Sequence, residues 1–136
     1  MSDTLLESAL GRPSCIAVIL CNEIIEDKLT NNKTLVSLFN RVLTAQVPSN
    51  HPRMFVMASF AEGAGDWPVA ISFRSPSGAE IMRFEGEVHF EDPLDVADVV
   101  VELRGLPLNE FGTHEVNVEI DGSLAATRRF VVLLAD

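Results

Sequence analysis

Apolar and polar residues alternate with a period of two along most of the chain, the pattern of strands that bury one face. It is clearest from Gly112 to Leu134. His114, Val116, Val118 and Ile120 alternate with Thr113, Glu115, Asn117 and Glu119, Asp121-Gly122 supplies a turn, and Leu124, Ala126, Phe130 and Val132 resume the apolar face. A two-residue Asp121-Gly122 loop would put the two apolar sets on opposite faces. A three-residue loop from Ile120 to Gly122 pairs Val118 with Leu124 and Val116 with Ala126, so the faces agree. That loop, with Gly122 left-handed in a bulge, is the expectation.

A second hairpin is as legible. Trp67, Val69, Ile71 and Phe73 alternate with Pro68, Ala70, Ser72 and Arg74, and Met82, Phe84, Val88 and Phe90 alternate with Arg83, Glu85, Glu87 and His89. Ser75-Pro76-Ser77-Gly78 has type I turn chemistry. With those four residues as the whole loop, Ile71 faces Met82, Val69 faces Phe84, and Trp67 lies across from Gly86, covering the gap.

Further strands are predicted at Cys15–Cys21, Met54–Phe60 and Ala97–Arg104, with turns at Asn31-Asn32-Lys33, 48–52 and 91–95. Residues 34–47 are ambiguous. Leu35, Leu38, Phe39 and Val42 fall at helical spacing, while partial alternation and the all-β company of the other segments favour an extended chain. The count is seven strands, or eight if 34–47 is extended. It predicts an all-β fold, an antiparallel β-sandwich over residues 14–136 as one domain. Residues 1–13, with Leu5, Leu6 and Leu10 on one side and a stop at Gly11-Arg12-Pro13, form an N-terminal segment suited to a short helical turn.

Composition narrows the partners. At 136 residues with 47% hydrophobic content, the chain can bury a single sizeable core. A net charge of −10, with only ten Lys and Arg scattered along the chain, argues against nucleic acid and against an anionic membrane surface. Cys15 and Cys21, six positions apart in one strand, are about 20 Å from each other, beyond disulfide reach. Two small buried thiols, no apolar run long enough to span a bilayer, and an N-terminus without the charge of a signal peptide make the cytoplasm the expected location.

Several short pieces carry a family resemblance: Ile19-Leu20-Cys21, Lys33 to Phe39, Val47-Pro48, Ser75-Pro76-Ser77-Gly78, and Gly112-Thr113-His114 through Asp121-Gly122. Their order along residues 15–134 resembles a family of small uncharacterised bacterial proteins, a domain of unknown function. The resemblance implies an immunoglobulin-like β-sandwich with 34–47 extended, and it carries no known activity. The last hairpin is also similar to the end of many immunoglobulin-like domains, with His114 where those domains place a tyrosine.

No phosphate-binding loop, dinucleotide fingerprint or nucleophile elbow is written in the chain, and no cofactor or metal is expected. His89 reads as a surface histidine beside Glu87 and Glu91, and His114 as an interior or edge histidine. The expected role is a non-catalytic cytoplasmic interaction or structural module that self-associates, because Phe130, Val132 and Leu134 on one face and Val131 and Leu133 on the other leave the last strand apolar on both sides. The cover is either the apolar side of the N-terminal segment or a second copy. The alternative is a small-ligand or carbohydrate binder using loops at one end of the sandwich, with His51 in a loop, Trp67, Asp92, Asp95 and Asp98 as its binding residues.

Overall fold

The computed structural model describes residues 11–136, so the expected N-terminal turn lies outside the described residues up to Ala9-Leu10. Nine strands follow: β1 (Ser14–Glu26), β2 (Lys33–Leu38), β3 (Arg41–Thr44), β4 (Ser49–Ala61), β5 (Gly65–Arg74), β6 (Glu80–Phe90), β7 (Val96–Leu108), β8 (Gly112–Ile120) and β9 (Ser123–Leu134). They form a four-stranded sheet, order β2-β1-β4-β7, and a five-stranded sheet, order β3-β9-β8-β5-β6. Every pairing is antiparallel except β3 with β9, which run parallel. Two packed sheets with strands crossing from one to the other make an immunoglobulin-like sandwich.

The ambiguous segment 34–47 is extended, and it supplies two strands rather than one, which raises the count to nine. Its helical spacing has a physical origin. Leu35 pairs with Ile24 in the four-stranded sheet, Ser37 takes a positive φ of 56°, and the chain then crosses to the other sheet, where Val42 enters the core. The Phe39 N–H bonds to the Leu20 carbonyl at 3.1 Å and the Val131 N–H to the Asn40 carbonyl at 3.0 Å, fixing the crossing on both sides. A change of sheet shifts the phase of alternation, and that shift imitates a helical repeat.

Inward-facing residues build one core. Met54, Val56, Ala58 and Phe60 of β4 meet Val69, Ile71 and Phe73 of β5, with Phe130 and Val132 of β9 beside them. His114 is buried among these, its Nδ1 3.1 Å from the Gly112 carbonyl and its ring stacked on Phe130 with centroids 5.2 Å apart, while its Nε2 has no partner among the described residues.

Both hairpins reach their core faces by a different register from the one expected, and Leu124 is lost from the expected apolar face. In β5–β6, Ile71 pairs with Phe84, Val69 with Gly86 and Trp67 with Val88, two residues along from the expected alignment. The Gly78 N–H bonds to the Ser75 carbonyl and the Ser75 N–H to the Ala79 carbonyl, both at 2.9 Å, so the turn closes with an extra residue, and an irregularity between Phe73 and Arg74 adds another. Two insertions restore the parity. Trp67 therefore does not cover Gly86.

In β8–β9 the three-residue loop is overturned. Asp121 and Gly122 form a two-residue turn with φ of 50° and 79°, the signs of a type I′ hairpin, and Ile120 pairs with Ser123. The conflict of faces is resolved by a bulge after Val118, which pairs with Ala126 and leaves Leu124 exposed. The expected left-handed Gly122 is present, in the turn rather than in a bulge.

The outer face of the four-stranded sheet is covered in part from within, though Val96 and Val100 of β7 stay exposed on it. Phe55, Met57 and Ser59 of β4 point away from the core yet are buried. Past Cys21, β1 pairs among the described residues with β2 alone, and Asp27 closes their turn by accepting the Leu29 N–H at 2.8 Å. The Lys33 ammonium, at the base of that turn, reaches Asp98 of β7. Asp98 lies toward the opposite end of the sheet from the point where the hairpin departs, so the hairpin bends back across the outer face.

Candidate functional site

At one end of the sandwich the β4–β5 loop, the β6–β7 loop and the β8–β9 turn gather. The Trp67 indole N–H donates to the Ala64 carbonyl at 2.8 Å. The Arg12 guanidinium lies 5.8 Å from the centre of the Trp67 ring and donates to the Ile120 carbonyl at 2.6 Å. One arginine thereby ties the N-terminal entry to the last hairpin and lies over one face of the Trp67 ring. On the outer edge, His89 hydrogen-bonds to Asp66, its register partner. That bond, with the charges of Asp66, Glu91 and Glu87, raises the His89 pKa above the ordinary histidine value.

The β6–β7 loop uses its carboxylates on itself. Asp92 accepts the Leu94 N–H at 2.9 Å, and Asp95 accepts the Asp92 N–H at 3.2 Å. These are turn-forming bonds. Asp98 is further along β7 on the outer face, where Oδ1 accepts from Ser59 at 2.6 Å and Oδ2 sits 3.5 Å from Lys33. Among the described residues, no group of three or more His, Cys, Asp or Glu side chains is placed to hold a metal ion.

The five sequence-derived binding residues are thus divided among three places. Trp67, Asp92 and Asp95 share one end, and Asp98 faces the covered outer sheet. His51 is at the other end: it belongs to strand β4, not to a loop, and pairs with Leu106. The ten residues from His51 to Ala61 span about 33 Å. His51 is half-buried, 6.1 Å from the Phe39 ring, and burial lowers its pKa.

Sequence reasoning missed two features. Arg12, read only as part of a stop, is a structural clamp. Gly86, read as a gap to be covered, lies between two depressions. On the outer face a cleft of about 250 Å³ is lined by Pro68, Ala70, Arg83, Glu85 and Gly122. Arg83 there is surrounded by Glu85 at 2.9 Å, Glu119 at 2.8 Å and Glu80 at 3.4 Å, which hold its guanidinium more firmly charged. On the inner side an apolar cleft of about 60 Å³ opens between β6 and β7. A glycine at an inward-facing position of a strand at the end of its sheet was the available signal.

A family model matches residues 16–133. The chain belongs to DUF6941, a family of unknown function. No curated protein matches this DUF6941 chain. Among solved structures it is similar to an immunoglobulin-like protein from Pseudomonas aeruginosa, at 14% identity and a TM-score of 0.41, over 92% of this chain and 99% of that one. It is also similar to the alkylpurine DNA glycosylase AlkC of Pseudomonas fluorescens bound to DNA containing an abasic site analog, at 9% identity and a TM-score of 0.44. That match covers 85% of this chain and 30% of the glycosylase.

Proposed function

We propose that this DUF6941 chain is a non-catalytic cytoplasmic interaction module that self-associates through the outer face of its five-stranded sheet at β3 and β9. One observation carries the reading. Leu43 and Leu133 are register partners whose neighbours Val42 and Val132 fill the core, so the two leucines point outward, 61% and 39% exposed. Leu134 and Phe111, also exposed, belong to the same end. Adjacent exposed apolar side chains on a sheet face mark an association surface.

The chain's own N-terminal entry is tied down elsewhere. The Gly11 carbonyl accepts the Ala64 N–H at 2.8 Å, at the end where β9 begins. Leu133 is ten residues further along β9, about 33 Å away. The reading takes a second copy as the cover, because a closed two-fold assembly pairs such a patch with itself. The oligomeric state of a Leu43→Lys, Leu133→Lys variant beside the native chain tests the reading.

A further inference from the structure

We propose that β6 is the acceptor edge for an extended cationic segment of another protein, which adds to the five-stranded sheet as a further strand and seats an aliphatic side chain beside Gly86. The proposal rests on the reading of the chain as an interaction module but uses the opposite edge of the sheet from β3. A monomeric result for the Leu43 and Leu133 surface leaves it standing.

Three observations combine. First, among the described residues β6 is the last strand of its sheet, and it is eleven residues long, enough backbone to accept a full added strand. Second, Gly86 pairs with the buried Val69, so its missing side chain would point inward. The vacancy is the apolar cleft lined by Val69, Ile71, Phe84, Val99 and Val101, and a Cβ built on Gly86 meets nothing within 4 Å. Third, the outward-facing positions on either side of Gly86 are Glu85 and Glu87, both exposed; Glu85 shares Arg83 with two other carboxylates, and Glu87 has no ion pair among the described residues. Arg83, the one Lys or Arg of the strand, faces Glu80, Glu85 and Glu119 together, which leaves an excess of negative charge around it.

These features specify the occupant. In a strand added to β6, the residue opposite Gly86 points into the cleft, and its two neighbours point outward toward Glu85 and Glu87. The fitting pattern is cation, aliphatic, cation. A second copy pairing β6 with β6 about Gly86 sets Glu85 against Glu87 and Gly86 against Gly86, so like charges meet and the cleft receives no side chain; a different chain is the occupant that fits.

The probe is a blocked, fluorescein-labelled peptide of alternating Arg and Val, titrated into the full chain at low and at high salt by anisotropy, with backbone amide shifts followed by NMR. Saturable binding that weakens with salt and shifts the amides of β6 is expected. Gly86→Leu should weaken it about tenfold while the folded signal persists, because the cleft is filled from within. A peptide with Gly for the central Val should weaken it similarly with the protein unaltered, and a peptide with Glu for Arg should not bind. The proposal is overturned by equal binding of the Glu peptide, by indifference to the central Val, by shifts that map away from β6, by absence of saturation at millimolar peptide, or by concentration-dependent β6 shifts without peptide.

Discussion

Lys33 and Asp98, 65 positions apart, meet across the outer face of the four-stranded sheet with Nζ 3.5 Å from Oδ2. The contact marks where the β1–β2 hairpin lands, and Ser59 beneath it donates to the same carboxylate at 2.6 Å. Its ionic part is partly exposed and weak, while the hydrogen bond from a buried hydroxyl to a carboxylate is the stronger component.

Asp98→Ala should therefore destabilise by about 1–2 kcal/mol, and Lys33→Ala by less than about 1 kcal/mol. Urea denaturation measures both. Hydrogen exchange should quicken at Ile24 and Leu35 in both variants if the ion pair anchors the hairpin. Unchanged exchange there would refute the anchoring role.

Gly122 has φ of 79° with open space where a Cβ would be, so the strain of a substitution there is conformational rather than steric. Gly122→Ala should cost about 1 kcal/mol, whereas Asp121→Asn, which suits a type I′ turn, should be close to neutral. Equal tolerance of both changes in thermal melts would contradict the turn geometry.

The two histidines on β4 and β6 should titrate on opposite sides of an ordinary histidine. His89 is raised by its bond to Asp66, so its stabilisation is complete below the unfolded value, about 6.5, and is lost as pH rises through the folded value. His51 is lowered by burial, so its neutral form is favoured in the fold and stability falls as pH drops below about 6.5 toward the folded value. NMR titration should give His89 the higher pKa, and Asp66→Asn should bring it down while leaving His51 unmoved.

Cys21 is buried and Cys15 half-buried, both are free, and burial pushes both thiols up. Native protein should react slowly with a thiol reagent, Cys15 before Cys21, and denaturation without reductant should expose two thiols. Fast stoichiometric reaction of the native protein would contradict the burial.

Alternation exposed most strands and both hairpins because each strand has one buried face, and the patterns of Trp67–Phe73 and Met82–Phe90 constrain each other. Register was less legible. Parity survives a slip of two residues, and the bulges beside Arg74 and Val118 lie where no residue type announces them. The strand ends around His51 and Pro107 were hidden by prolines, which ordinarily demote a strand but here sit within β4 and β7. The hairpin that reaches Asp98 across the outer face left only an indirect trace, a β4 sequence apolar on both faces. The Asp66–His89 pair depended on the register, and so could not be placed beforehand.

Self-association is measured most directly by multi-angle light scattering of the full chain across the micromolar range. The native protein should run as a dimer or larger closed assembly, and the Leu43→Lys, Leu133→Lys variant as a monomer with an unchanged circular dichroism spectrum. A native chain that remains a monomer throughout that range would contradict the account.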